Sequence, residues 1–151
     1  MDDIKEVGKL LLAKAIALGV FLLIILILNI TVYIINNQVL NEVVVFLNHN
    51  IIIIILFILL FIAASVLETL VFPYNLPGPL LNAIGGWLLV YFIFDMFNVI
   101  KKFIFVPDEI PIKQIYYLTS IIVFIIILVI GYIKILADAG IHKYKKIFKD
   151  E

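Results

Sequence analysis

The sequence predicts an all-α integral membrane protein, a four-helix bundle set in a lipid bilayer. Three observations lead there. First, 66% of the residues are hydrophobic and 15% are charged, with a mean hydropathy of +1.27. A water-soluble domain is roughly half apolar and about a quarter charged. A chain of this size has too little polar surface to cover so much apolar area in water. Second, the apolar residues fall into four runs near the length of about 20 residues that carries a helix across a ~30 Å hydrocarbon layer. Third, runs such as IIIIILFILLFI lack the apolar–polar alternation of a membrane β-barrel strand. Unpaired backbone is too costly in lipid for any other spanning structure than a helix or a closed barrel.

The first predicted helix covers residues 15–35 and ends at Asn36, Asn37 and Gln38. Lys5, Lys9 and Lys14 precede it, as in a secretion signal. Its apolar run is too long for a signal core and lacks a clear small-x-small cleavage site, so it is expected to be retained. The second helix covers Ile51–Val66, or about 43–67 if the apolar residues Val43–Leu47 join it across the interrupting polar triplet Asn48–His49–Asn50. The third covers about 80–100 and is closed by Lys101 and Lys102. The fourth covers about 115–134 and leaves through Lys134. Residues 1–151 are read as one transmembrane domain, with a short basic tail over 137–151. There Lys143, Lys145, Lys146 and Lys149 alternate with Ile141, Tyr144, Ile147 and Phe148, the composition of a helix resting on anionic headgroups.

Lysine placement sets the expected orientation. The two terminal flanks carry eight lysines and the loop between the third and fourth helices carries three. Both termini are therefore placed in the cytoplasm of a multi-pass cell-membrane protein.

Several function classes are excluded or disfavoured. The chain has no cysteine, so it has no disulfide framework, thiolate metal site or cysteine nucleophile. Formal net charge is zero, which gives no nucleic-acid signal. Every basic residue is lysine, which disfavours the bidentate clamps on carboxylate or phosphate that arginine makes. There is no metalloprotease, nucleophile-elbow or phosphate-loop motif. His49 stands without a neighbouring acid or thiol, and Glu68 lies nineteen residues further on, so the two sit near opposite membrane faces. The expectation is a non-enzymatic protein with no cofactor and no metal.

Three sets of residues stand out. Pro73, Pro77 and Pro79 interrupt the chain, because proline donates no backbone hydrogen bond and biases its predecessor away from helix. They read as a tight connector whose Pro79 suits the first turn of the third helix, or as a re-entrant loop lining a cavity. Asn82, Ala83, Gly85 and Gly86 give that helix a small-residue face with one amide. Such a face serves packing within the bundle or docking of a second protein. Asp95 is an ionisable residue in a spanning segment, where charge is costly and is commonly paired or functional. Asn98 and Lys102, at i+3 and i+7, and Tyr91, at i−4, share its face. The cluster reads as interfacial or as a buried functional carboxylate.

From Leu81 to Ile133 the order of features resembles the pro-sigma-K processing inhibitor BofA family. The residues concerned are LLNAIGGWLLVYFIFDMFN, a short loop, and EIPIKQIYYLTSIIVFIIILVI. Gly85 and Gly86 match the small residues near the start of that family's helix, and Pro111–Ile112 match its Pro-Ile step. Asp95 and Lys113 stand where the family has two Asn, and the loop is longer here. The resemblance implies a non-enzymatic membrane protein whose third helix meets another membrane protein. In the spore-forming bacterial member that partner is a membrane-embedded zinc protease. Two readings follow. One is an accessory or regulatory subunit that contacts its partner through Asn82, Gly85, Gly86, Asp95 and Asn98. The other is a small self-associating channel or transporter, with Asp95 on its path and the proline loop at its mouth.

Overall fold

The computed structural model describes residues 2–70, 72–104 and 111–147. Among them are five helices: α1 (Asp2–Ile35), α2 (Gln38–His49), α3 (Ile51–Glu68), α4 (Pro77–Ile100) and α5 (Ile112–Ile147). The described residues contain no strand. Four helices are long and apolar enough to cross a membrane, through Val7–Ile35, Ile51–Glu68, Pro77–Ile100 and Ile112–Ala137. The protein is thus an all-α bundle with four candidate spans.

The element boundaries differ from the sequence expectation in three places. α1 begins at Asp2 rather than residue 15. Its 34 residues extend about 51 Å, longer than a bilayer core. α5 continues past residue 134 to Ile147, so the start of the basic tail is the end of a spanning helix. Lys149 lies outside the described residues. The helix expected over 43–67 is two helices, broken at Asn50. The backbone there turns to φ −95°, ψ 8°, between helix and turn geometry. The triplet Asn48–His49–Asn50 marks the junction, and α3 begins at Ile51, the narrower of the two expected starts.

Polar residues set each boundary. Asn36 adopts a left-handed conformation at φ 47°, which asparagine tolerates better than most residues and which ends a helix. Asn37 then caps α2, its side chain accepting from the Leu40 amide at 3.1 Å, which satisfies one of the helix's orphan donors. At the other side of α3, the chain turns through 72–76 with Leu76 N–H donating to the Pro73 carbonyl at 3.2 Å and Gly78 N–H to that of Asn75 at 3.0 Å. α4 starts with Pro77 in its first turn, two residues earlier than Pro79 suggested. Proline has no amide to leave unpaired there. The proline stretch is a tight connector between α3 and α4.

Helix α4 is central, packed on α3 along one side and on α5 along another, while α1 rests on α2 and α3. Close approach needs small residues, because in lipid the helices gain from packing rather than from expelling water. Ala64 of α3 and Ala83 of α4 are fully buried. A Cβ built on Gly85 meets the Phe61 ring at 2.9 Å, and one on Gly131 of α5 meets Pro79 at 2.6 Å. Phe92 of α4 meets Phe46 of α2 and Phe57 of α3, with ring centroids 5.3 and 6.1 Å apart. The outward faces carry many large apolar side chains: Leu12, Ile52 and Ile130 are all more than half exposed. Only 6% of the spanning window of α1 is buried, which leaves its sides to lipid.

Candidate functional site

Polar side chains gather at the two ends of the bundle. At the end where α4 meets α5, the break at Asn50 places a buried amide opposite Asp95. Asn50 is 3% exposed. Its Nδ2 donates to the Phe46 carbonyl at 3.1 Å and to Asp95 Oδ2 at 3.2 Å. An amide donor on a carboxylate in an apolar setting relieves part of the cost of burying both groups. Nearby, Asn29 of α1 and Asn48 of α2 exchange side-chain hydrogen bonds at 2.8 and 3.2 Å. Lys102 forms an ion pair with Glu42 at 2.8 Å.

Asp95 also lines a cleft of about 530 Å³ between the last turns of α4 and the first turn of α5. Asn98, Lys101, Lys113 and Gln114 give it polar walls, and Tyr91, Phe94 and Tyr116 give it aromatic ones. Asn98 and Lys113 are exposed. The aromatic side is fixed by ring contacts across the two helices, Phe94–Tyr116 at 5.6 Å and Tyr91–Tyr116 at 6.1 Å. An adjoining hollow of about 260 Å³ is lined by Ile93, Phe94, Phe97, Ile112 and Ile115.

At the opposite end, Glu68 closes α3 and gathers two donors. Asn82 of α4 donates to its Oε1 at 2.5 Å, and Lys134 of α5 reaches its Oε2 at 3.4 Å. One carboxylate thus joins three spanning helices. Gly78 lies against this junction, where an added Cβ would come within 2.9 Å of the Glu68 side chain.

The residues singled out in the sequence therefore part company. Asp95 and Asn98 share the cleft with Tyr91, whereas Lys102, expected on that face, turns to Glu42 and Lys101 takes its place. Asn82 is at the far end with Glu68. Gly85 faces Phe61 and Gly86 faces Ile127 of α5, both inside the chain's own bundle. Pro73 follows a cis peptide bond, Pro77 opens α4, and Pro79 is fully buried against Gly131. His49 ends α2, and the described residues hold no group of His, Cys, Asp and Glu fit for a metal ion. Sequence reasoning missed Asn50 as the partner of Asp95 and the convergence on Glu68. The signal for Asn50 was the polar triplet Asn48–His49–Asn50 interrupting an otherwise apolar run.

The fold and these polar ends define a multi-pass α-helical membrane protein. Comparisons with protein-family models, with curated proteins and with solved structures found no match to the chain.

Proposed function

We propose that the protein is a non-enzymatic accessory or regulatory subunit that binds another integral membrane protein through the α4–α5 cleft. The observation that carries this reading is the cleft itself: a half-buried carboxylate, Asp95, and two exposed amides, Asn98 and Gln114, beside lysine at the ends of two spanning helices. Polar groups at membrane depth hold helices together by hydrogen bonds to neighbours. Asp95 is fixed by Asn50, so its orientation is set before any partner arrives, which lowers the ordering cost of binding. The similarity of residues 81–133 to the BofA family supports the same reading, with the contact carried by the Asp95 end of the helix. Gly85 and Gly86 are occupied by Phe61 and Ile127 and leave the proposed contact.

The channel reading gains less support. Between Asn50 and Ser65, α3 is wholly apolar, and between Asn82 and Asp95 only Trp87 and Tyr91 of α4 carry polar side-chain atoms. The two polar ends are not joined by a polar track along these helices.

Photocrosslinking in native membranes tests the proposal. A photoreactive residue at position 98 is expected to give one discrete, stoichiometric adduct with a membrane protein, lost when Asp95→Leu is added and retained with Lys134→Ala. A photoreactive residue at lipid-facing Ile125 is the control. Lipid adducts alone at both positions would overturn the assignment.

A further inference from the structure

We propose that a second cavity between α4 and α5 binds the ring of an oxidised isoprenoid quinone taken from the lipid phase. The cavity measures about 220 Å³ and is lined by Trp87 of α4 and by Tyr117, Ser120, Ile121 and Phe124 of α5. It shares no lining residue with the Asp95 cleft, and the inference does not rest on the partner reading.

Depth limits what can enter. Trp87 stands ten residues after Pro77 and thirteen before Ile100, near the middle of the α4 span. Tryptophan and tyrosine ordinarily sit at the ends of spanning helices, with their polar atoms at headgroup level. Trp87, Tyr117 and Ile121 are each roughly half exposed, so the cavity opens on the lipid-facing side of the bundle. A molecule dissolved in the bilayer reaches it there.

The polar groups around the cavity are donors without a partner. Ser120 is 3% exposed, and its hydroxyl makes no hydrogen bond. Thr31 and Ser65 show what a hydroxyl inside a helix commonly does: each donates to the carbonyl four residues back, at 2.8 and 2.7 Å, as serine and threonine do in spanning helices. Ser120 departs from that pattern. Among the described residues the Trp87 indole and the Tyr117 hydroxyl have no hydrogen-bond partner either. A donor left unpaired in hydrocarbon is costly. An indole N–H can only donate, and a hydroxyl hydrogen turns to suit an acceptor. The missing partner is therefore an acceptor carried on an apolar body.

The walls describe that body. Trp87, Tyr117 and Phe124 offer aromatic surfaces, which pair favourably with another ring. A cavity of about 150 Å³ holds benzene, so this one admits a ring with substituents. Tyr117 packs on Tyr116 with ring centroids 5.2 Å apart, and Tyr116 on Tyr91 at 6.1 Å. The Tyr117 wall is thus set before a ligand enters, which lowers the ordering cost of binding. An oxidised quinone brings a flat ring, two carbonyl acceptors, no donor, and a chain that stays in the bilayer. A saturated acyl chain would fill the volume and leave all three donors unpaired.

Trp87 is the chain's single tryptophan, so its fluorescence reports the cavity. The full-length protein in phosphatidylcholine nanodiscs is titrated with decylubiquinone, a short-tailed benzoquinone that quenches indole. Quenching is expected to saturate at one quinone per protein. Ser120→Ala and Tyr117→Phe are each expected to raise Kd about fivefold, as for the loss of one hydrogen bond. Excess decylbenzene, a ring and tail without carbonyls, is expected not to restore the fluorescence. A Trp87→Phe protein carrying Ile130→Trp, at a lipid-facing position, is expected to show linear quenching with no saturation. Linear quenching of Trp87 itself would overturn the site. Saturable quenching that neither substitution weakens, or that decylbenzene reverses, would overturn the quinone and leave a plain apolar cavity. Circular dichroism of each variant shows whether the helices are intact.

Discussion

Asn50 donates its side-chain amide to Asp95 across 3.2 Å, linking the break between α2 and α3 to the end of α4. The same amide donates to the Phe46 carbonyl. One residue therefore does two things: it lets the helix break and it satisfies a carboxylate 45 positions away. Replacing Asn50 with Leu removes the donor and strands Asp95. Asp95 is half-buried beside an open cleft, so the loss falls at the low end of the roughly 1–3 kcal/mol that a fully buried unsatisfied polar group costs, and Asn50→Leu is expected to lower stability by about 1 kcal/mol in steric-trap unfolding in bicelles. Asp95→Leu added to Asn50→Leu is expected to recover part of the loss. A double variant no more stable than the single one would show that the two side chains are not coupled.

Gly86 faces the tip of Ile127. Any larger side chain must displace Ile127 at the α4–α5 contact. Overpacking of this kind costs about 1–3 kcal/mol. Gly86→Leu is expected to loosen the α4–α5 contact within the protein, visible as a lower thermal midpoint in detergent. Ile127→Ala in the same chain makes room and is expected to restore much of it. A Gly86→Leu protein as stable as the wild type would place this glycine outside the packed interface.

The class of fold was legible in the sequence because lipid imposes a simple rule: a helix must be long and apolar to cross. Residues 80–100 and 115–134 obeyed it visibly and lie within α4 and α5. The break at Asn50 was less legible. Its cause is local hydrogen bonding by one amide, and its effect is a partner on a different helix. Polar pairings were illegible for the same reason. Asp95 with Asn50, Glu68 with Lys134 and Lys102 with Glu42 are 45, 66 and 60 residues apart in sequence, so no helical spacing announces them. The small-residue face left two readings open because a glycine that receives a neighbouring helix looks the same in sequence whether that helix is its own or a partner's. Phe61 and Ile127 fill the space at Gly85 and Gly86.

At the other end of the bundle, the two donors to Glu68 should differ in weight. The Lys134 side chain is 65% exposed, and an exposed ion pair contributes about 0–1 kcal/mol after solvent screening. Asn82 is half-buried and bonds to the same carboxylate at 2.5 Å. Interhelical hydrogen bonds in membranes average about 0.6 kcal/mol and reach about 1.7. Asn82→Leu is therefore expected to destabilise more than Lys134→Ala, and raised salt is expected to erase the Lys134 effect. Equal losses from both variants would mean that the lysine is shielded from solvent in the membrane-bound protein.

The chain has no cysteine, so single introduced cysteines report membrane sidedness without background. With four spans, the α3–α4 connector and the start of α1 lie on one side, and the α1–α2 and α4–α5 connections lie on the other. Tyr74, at 73% exposure, and Gly8, with open space around it, represent the first side. Asn37, at the α1–α2 turn, represents the second. The excess of lysine on the terminal flanks favours the first side as cytoplasmic. In intact cells, an impermeant maleimide is expected to label Asn37→Cys and to spare Tyr74→Cys and Gly8→Cys until the membrane is opened. The reverse pattern would invert the orientation while keeping four spans, and it would move the Asp95 cleft to the cytoplasmic leaflet. Labelling of Tyr74→Cys and Gly8→Cys from different sides would overturn the four-span topology itself, because an odd number of crossings would then separate them.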